Sequence, residues 1–337
     1  MSSGEIGPDR RDRRDDRGDR IAGAVIGLAI GDAAGWPSAR HRSGVLAPWS
    51  RRLHRELDGF AEEHRVTTLP VPFTLNQPVR PLALGPSDDA EWLAWTASTL
   101  HEDRAEAFGR LAGRDDLRAR ISVRTALDNL AGGRPPPASG HDNPHFFDDA
   151  AAVRAVAFGA AGLDPTRDAQ VTNAGDGVLG ARAMAAAVAA LVGGAPMTAA
   201  VAAALAELPD DTAIGHAARA ALAAARRAGD AFAAVPALDA VLFDHVYSYG
   251  VAAAQTVPAA LALAEVSGGA LPAAVSAAAC LSPAADSAPA LTGALTGAFS
   301  GHAALPRGWS AAARTLLGCC LPELAGVDLL DIAKGLA

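Results

Sequence analysis

The stretch Arg20-Ile-Ala-Gly-Ala-Val-Ile-Gly-Leu-Ala-Ile-Gly-Asp-Ala-Ala-Gly35 decides how the rest of this chain is read. Ile21, Val25 and Leu28 fall on one stripe of a helix, and Asp32 is next on that stripe. Gly23, Gly27 and Gly31 recur at every fourth position. Glycine inside a helix is unfavourable relative to alanine, so its repetition implies a gain elsewhere: a second helix packed close. Asp32 has two readings. On the apolar face of a packed helix its carboxylate needs a partner or a cation. Just past the helix end it sits in water.

A second small-residue face follows near the C-terminus. In the segment 281–301, Asp286 and Ser287 stand at a predicted helix start. Pro289 falls in the first turn, where proline is tolerated. Ala290, Gly293, Gly297 and Gly301 then repeat the spacing of the first helix. Between the two faces lies Gly85-Pro86-Ser87-Asp88-Asp89-Ala90-Glu91-Trp92, with a hydroxyl and paired carboxylates at another helix start. Acidic residues suit a helix N-terminus electrostatically, and Asp88 with Glu91 matches a capping box. Adjacent carboxylates also suit a hard divalent cation, which relieves their repulsion.

The 337 residues, half of them hydrophobic, suffice for a large core in one domain or two. Alanine dominates, which points to closely approaching helices. The net charge is -8 and Lys334 is the only lysine, so nucleic acid and anionic membranes are poor general partners. The Ala-rich runs carry charges or Gly-Pro breaks, and none reads as a membrane span. Cys280, Cys319 and Cys320 lack metal-ligand spacing, and with no signal peptide this fits a reduced cytoplasmic setting.

Met1 to Asp19 is rich in Arg and Asp and reads as a disordered tail, leaving 20–337 as the folded part. Arg51 to His64 reads as an amphipathic helix, and Thr67 to Val79, with three prolines, as a loop. Ala105 to Leu130 reads as helix with arginines on its outer face, and 132–140 as a surface loop. His141 and His145 have helical spacing but sit in loop sequence, so a metal role is set aside. Asp148 and Asp149 follow, and Arg154 lies in an Ala-rich helix. Val171 to Leu191, Met197 to Leu208 and Thr212 to Arg227 read as helices, the last with Thr212 as N-cap. Pro258 kinks a further helix or marks its start.

Were the helix ends bearing Asp32, Asp88, Asp89 and Asp286 to converge, four carboxylates would share one cleft. Such a cluster needs divalent metal or shared protons, and oxygen-only ligands favour Mg²⁺ or Mn²⁺ over zinc. In this pattern the chain resembles the ADP-ribosylglycohydrolase family. Gly27 to Gly35 is similar to that family's Gly-x-Ala-x-Gly-Asp-Ala-x-Gly signature, and Ser87-Asp88-Asp89-Ala90 stands where it has Thr-Asp-Asp-Thr. Ala284-Ala285-Asp286-Ser287 stands where it has Asp-Thr-Asp-Thr, Val171-Thr172-Asn173 where it has Leu-Thr-His, and Arg154 at an arginine.

The resemblance implies an all-α, single-domain helical bundle holding two magnesium ions. It also implies hydrolysis of the bond joining ADP-ribose to a protein side chain or a small molecule. Carried over residue by residue, it makes Ser87, Asp88, Asp89, Asp286 and Ser287 metal ligands. Asp89, or failing it Asp32, orients the attacking water, and Arg154 and Asn173 contact substrate. Ala284 removes one expected ligand, and Ala39, Ala90 and Asn173 also depart from the pattern. What is left is suited to one ion more than two. The alternative is a silent protein that binds ADP-ribose or another nucleotide on the same scaffold.

Overall fold

The computed structural model describes residues 10–35, 63, 85–244 and 250–337. Within them the chain is all-helical, with sixteen α-helices and two isolated β-bridges. In chain order these are α1 (Arg10–Ala34), α2 (Asp88–Ser98), α3 (Arg104–Gly109), α4 (Ile121–Ala131), α5 (Ala138–His141), α6 (Ala150–Ala161), α7 (Thr166–Thr172) and α8 (Asp176–Val192). Then follow α9 (Met197–Ala206), α10 (Ala213–Ala228), α11 (Ala231–Leu242), α12 (Ala253–Val266), α13 (Leu271–Cys280), α14 (Ala288–Ser300), α15 (Arg307–Ala313) and α16 (Leu329–Gly335). One apolar core runs from Ile21 to Leu336. None of the described helices is long and apolar enough to cross a membrane.

The pair α1 and α14 sets the geometry of everything near the site. A Cβ placed on Gly23 would lie 2.2 Å from the Gly297 carbonyl oxygen, and one on Gly27 2.1 Å from that of Gly293. One on Gly31 would lie 1.9 Å from the Pro289 oxygen. The two helices therefore run antiparallel with their backbones touching, and each glycine face is the other's reason. This register carries the C-terminal end of α1, with Asp32, to the N-terminal end of α14, with Asp286 and Ser287. Gly35 continues the contact, 2.6 Å from the Ala285 oxygen by the same measure.

Several boundaries differ from the sequence reading. α1 begins at Arg10, so helix replaces part of the expected tail. Extending a formed helix needs no new nucleus, and Arg17 and Asp19 gain anchors. Arg17 Nη2 donates to the Ala160 oxygen at 3.1 Å, and Asp19 Oδ1 accepts from Ala303 N at 2.9 Å. Residues 1–9 lie outside the described residues, as do the expected 51–64 helix, apart from Glu63, and the 67–79 loop. The stretch 105–130 is two helices, α3 and α4, joined by a non-helical segment. The helix expected over 171–191 breaks at Asn173, which is extended, and at Gly175, whose φ is 50°. Thr212 caps α10 by accepting from Gly215 N at 3.1 Å, as expected. Pro258 lies inside α12, which starts ahead of it at Ala253.

Candidate active site

Asp32 is only 2% exposed, yet it is not in a bare apolar face. Its Oδ2 accepts from Ser87 N at 2.6 Å and Ala90 N at 3.0 Å, and its Oδ1 from the Ser87 hydroxyl at 2.8 Å. It thus caps α2 from a distant part of the chain, satisfying amide groups that begin the helix. The capping box of Asp88 with Glu91 does not form. Glu91 points the other way and accepts from Cys319 N, Cys320 N and Leu321 N at 2.8, 2.7 and 2.8 Å. Both oxygens of Asp32 are thus engaged by α2, and in this arrangement the side chain serves as a cap. That cap leaves Asp88 and Asp89 unneeded for capping. Ser87 Oγ also lies 3.1 Å from Asp88 Oδ1.

The other half of the site is gathered by Arg120, just before α4. Its side chain is 12% exposed and turns inward, against the sequence reading that placed these arginines outside. Nη2 lies 3.2 Å from Asp89 Oδ1 and 3.7 Å from Asp286 Oδ1, and it donates to the Ser287 hydroxyl. Nη1 pairs with Asp149 Oδ1. Asp89 is 3% and Asp149 0% exposed, while Asp286, at 22%, forms the mouth. Asp89 Oδ2 is buried with no hydrogen-bond partner.

Burial dominates the electrostatics. It raises Asp32 to about 7, helped by the Asp88 charge and opposed by the hydrogen bonds from Ala90 and Ser87. It raises Asp149 to about 7 against the pull of Arg120, with Asp148 and Asp286 adding repulsion. Asp89 is pushed well above the carboxylate range by burial, which outweighs Arg120; Asp88, Asp32 and Asp149 push the same way. Carboxylates outnumber the one guanidinium, so protons or a further cation must balance the rest.

Arg154 and Asn173 lie elsewhere than expected. Arg154 is fully buried. Its Nε donates to Asp168 Oδ2 at 2.8 Å and its Nη2 to Thr172 Oγ1 at 2.7 Å, with the Phe108 ring 5.0 Å from the guanidinium. A substrate cannot reach it, and that reading is corrected. Thr172 Oγ1 in turn donates to Asn173 Oδ1 at 2.6 Å. Asn173 Nδ2 donates to Asp148 Oδ1 and the Asp148 oxygen, both at 2.9 Å. The same chain of contacts therefore ends beside Asp149, and Asn173 holds that loop rather than a ligand.

Sequence reasoning missed Arg120 and Asp149 as site residues. Asp148-Asp149 ahead of an Ala-rich helix repeats the pattern of Asp88-Asp89, and that was the available signal. Among the described residues, the one group of three metal-ligating side chains within 4.8 Å is Glu91, Cys319 and Cys320. Its carboxylate is already filled by the backbone amides. The carboxylates of the cleft do not close on a common point; they ring a guanidinium.

A sequence model of the ADP-ribosylglycohydrolase family matches residues 13–336. No curated protein is similar enough to be matched. A solved structure described as an ADP-ribosylglycohydrolase-related protein complex superposes with a TM-score of 0.59 over 96% of this chain and 98% of that one. At 20% identity that likeness shows the fold alone. The family match spans both glycine-faced helices and every acidic helix start they bring together: the chain belongs to the ADP-ribosylglycohydrolase family.

Proposed function

We propose that the chain hydrolyses a glycosidic bond joining ADP-ribose to a protein side chain or a small molecule, with Mg²⁺ or Mn²⁺ in the cleft. The observation that carries this reading is the convergence of Asp32, Ser87, Asp88, Asp89, Asp286 and Ser287 at one end of the α1–α14 pair. The residues fit one divalent ion. Ser87, Asp88 and Asp89 are hard oxygen donors, and the buried, unpartnered Asp89 Oδ2 is an atom that wants a cation or water. They fit a second ion poorly, because Ser287 and Asp286 face Arg120 and Ala284 offers only a methyl group.

When bound, the ion supplies Lewis-acid attraction for ribose hydroxyls and for water. Asp89 orients the attacking water through Oδ2 while Arg120 fixes Oδ1. Ionised beside the bound ion, the Asp89 carboxylate would take the water's proton. The bond from the anomeric carbon to the leaving group breaks through an oxocarbenium-like state, and Asp286 at the mouth favours that positive charge. Asp32 acts through α2, holding Ser87 in place. Cys280, Cys319 and Cys320 are free thiols, which suits a reducing compartment such as the cytoplasm.

The test is release of ADP-ribose from a panel of ADP-ribosylated proteins and small molecules, with Mg²⁺ and with EDTA. The expected result is EDTA-sensitive release, and Asp88→Ala should lower it by at least about 100-fold, the scale of one lost electrostatic contact in a transition state. Full activity in Asp88→Ala would remove the assignment. A second reading, nucleotide binding without turnover, is favoured by the Arg120–Asp89 ion pair. It predicts ADP-ribose affinity with no release at any ion concentration.

A further inference from the structure

We propose that Arg120 is a built-in cation that takes the place of one divalent ion, so that this cleft accepts at most one. The inference rests on the reading of the cleft as a metal-assisted active site, but its test counts ions and not turnover.

Three separate elements send an acidic residue to the Arg120 guanidinium: Asp89 from the first turn of α2, Asp149 from before α6, and Asp286 from before α14. Ser287 adds a hydroxyl acceptor. Those are the oxygen donors a hard cation would take, and each already faces a guanidinium N–H. Ala284, fully buried, contributes no fourth carboxylate on this side. The planar guanidinium holds these donors apart around itself, so a small ion, which must sit about 2.1 Å from each oxygen, has no room among them while it is there.

The backbone makes the placement rigid. The Arg120 carbonyl accepts from Arg124 N at 2.9 Å in the first turn of α4, and two residues earlier Arg118 N donates to the Cys320 oxygen at 3.0 Å. A charged group this buried is costly unless it is paired, and here it has several partners. Removing it would leave Asp89, Asp149 and Asp286 facing one another with no positive charge between them, and that arrangement recruits a metal.

The experiment is equilibrium counting of bound Mn²⁺, by the EPR signal of the free ion, on the full chain and its Arg120→Gln and Arg120→Lys variants. Arg120→Gln should bind one more Mn²⁺ per chain than the unaltered protein, while Arg120→Lys, which keeps the charge, should bind the same number. An unchanged count in folded Arg120→Gln, or an added ion in Arg120→Lys, would overturn the proposal. Should Arg120→Gln fail to fold, the unaltered protein decides alone: two ions per chain at saturation would overturn it, and one or none would sustain it. The expected counts without any ADP-ribose release would defeat the hydrolase reading and leave this one standing.

Discussion

Asp32 and Asp149 are each pushed up to about 7 by burial, with like charges adding to the effect. Their ordinary value is near 3.8, so the folded chain binds more protons than the unfolded chain between about pH 4 and 7. Stability must then fall as pH rises through that window. Each group contributes a slope of about 1.4 kcal/mol per pH unit at most. The Arg-paired Asp116, Glu323 and Asp328 are lowered instead, so their contributions are lost only in more acid solution. In EDTA, the melting temperature should therefore be higher at pH 5.5 than at pH 8; a flat or rising profile would contradict the assignment. Mg²⁺ should flatten the profile by favouring the ionised carboxylates at high pH. At this scale the sequence was partly legible. The acidic doublet Asp88-Asp89 stood out because two adjacent charges at a helix start are conspicuous. Asp149 carried the same mark and was passed over. Arg120 carried none: in an Arg-rich stretch nothing local distinguishes a side chain turned inward from a solvated one. Arg154 and Asn173 misled because a polar residue's motif position does not reveal whether its partners are substrate or core.

The glycines act between elements, in the helix pair α1–α14. Their spacing was readable from the sequence because close backbone approach is what compensates for glycine at every fourth position, 23, 27 and 31, of one helix. Which helix they met was not readable, since that depends on register. Gly27→Ala tests the contact: the new methyl group would meet the Gly293 carbonyl carbon at 3.0 Å and its oxygen at 2.1 Å, both of them backbone. Backbone cannot rotate aside, so the helices must separate. The expected loss is about 3 kcal/mol in urea unfolding, at the upper end of the range for overpacking. Gly18→Ala is the matched control on the same helix, with nothing within 4 Å of the added carbon. It should gain about 1 kcal/mol through helix propensity alone. If both variants shifted stability equally, close packing would not be the reason for the repeat. Gly27→Ala should also weaken Mn²⁺ binding, because separating α1 from α14 draws Asp32 away from Ser87.

Across the whole molecule, the C-terminal part of the chain is tied to the cleft through Glu91. This carboxylate leaves α2 on the side away from Asp89 and takes the amides of Cys319, Cys320 and Leu321, with the Cys319 thiol at 3.2 Å. The Cys320 oxygen in turn accepts from Arg118, two residues before the cleft arginine. α16 then packs on both α1 and α2. A residue more than two hundred positions from α2 thereby helps to fix Arg120. The sequence offered a doublet of cysteines there and no hint that its backbone, not its sulfur, was the functional part. Glu91→Gln isolates the link, since it keeps the shape but turns one oxygen into a donor. At least one buried amide then loses its acceptor and faces another N–H, at a cost of about 2–3 kcal/mol. Hydrogen exchange at residues 319–321 should accelerate by at least about tenfold, the equivalent of 1.4 kcal/mol, while α6 keeps its protection. Turnover should fall with it although every carboxylate of the cleft is intact, because the segment leading to Arg120 has lost its anchor. Unchanged exchange at 319–321 would mean that apolar packing around Leu321 and Leu324, and not the Glu91 carboxylate, holds the C-terminal segment against the site.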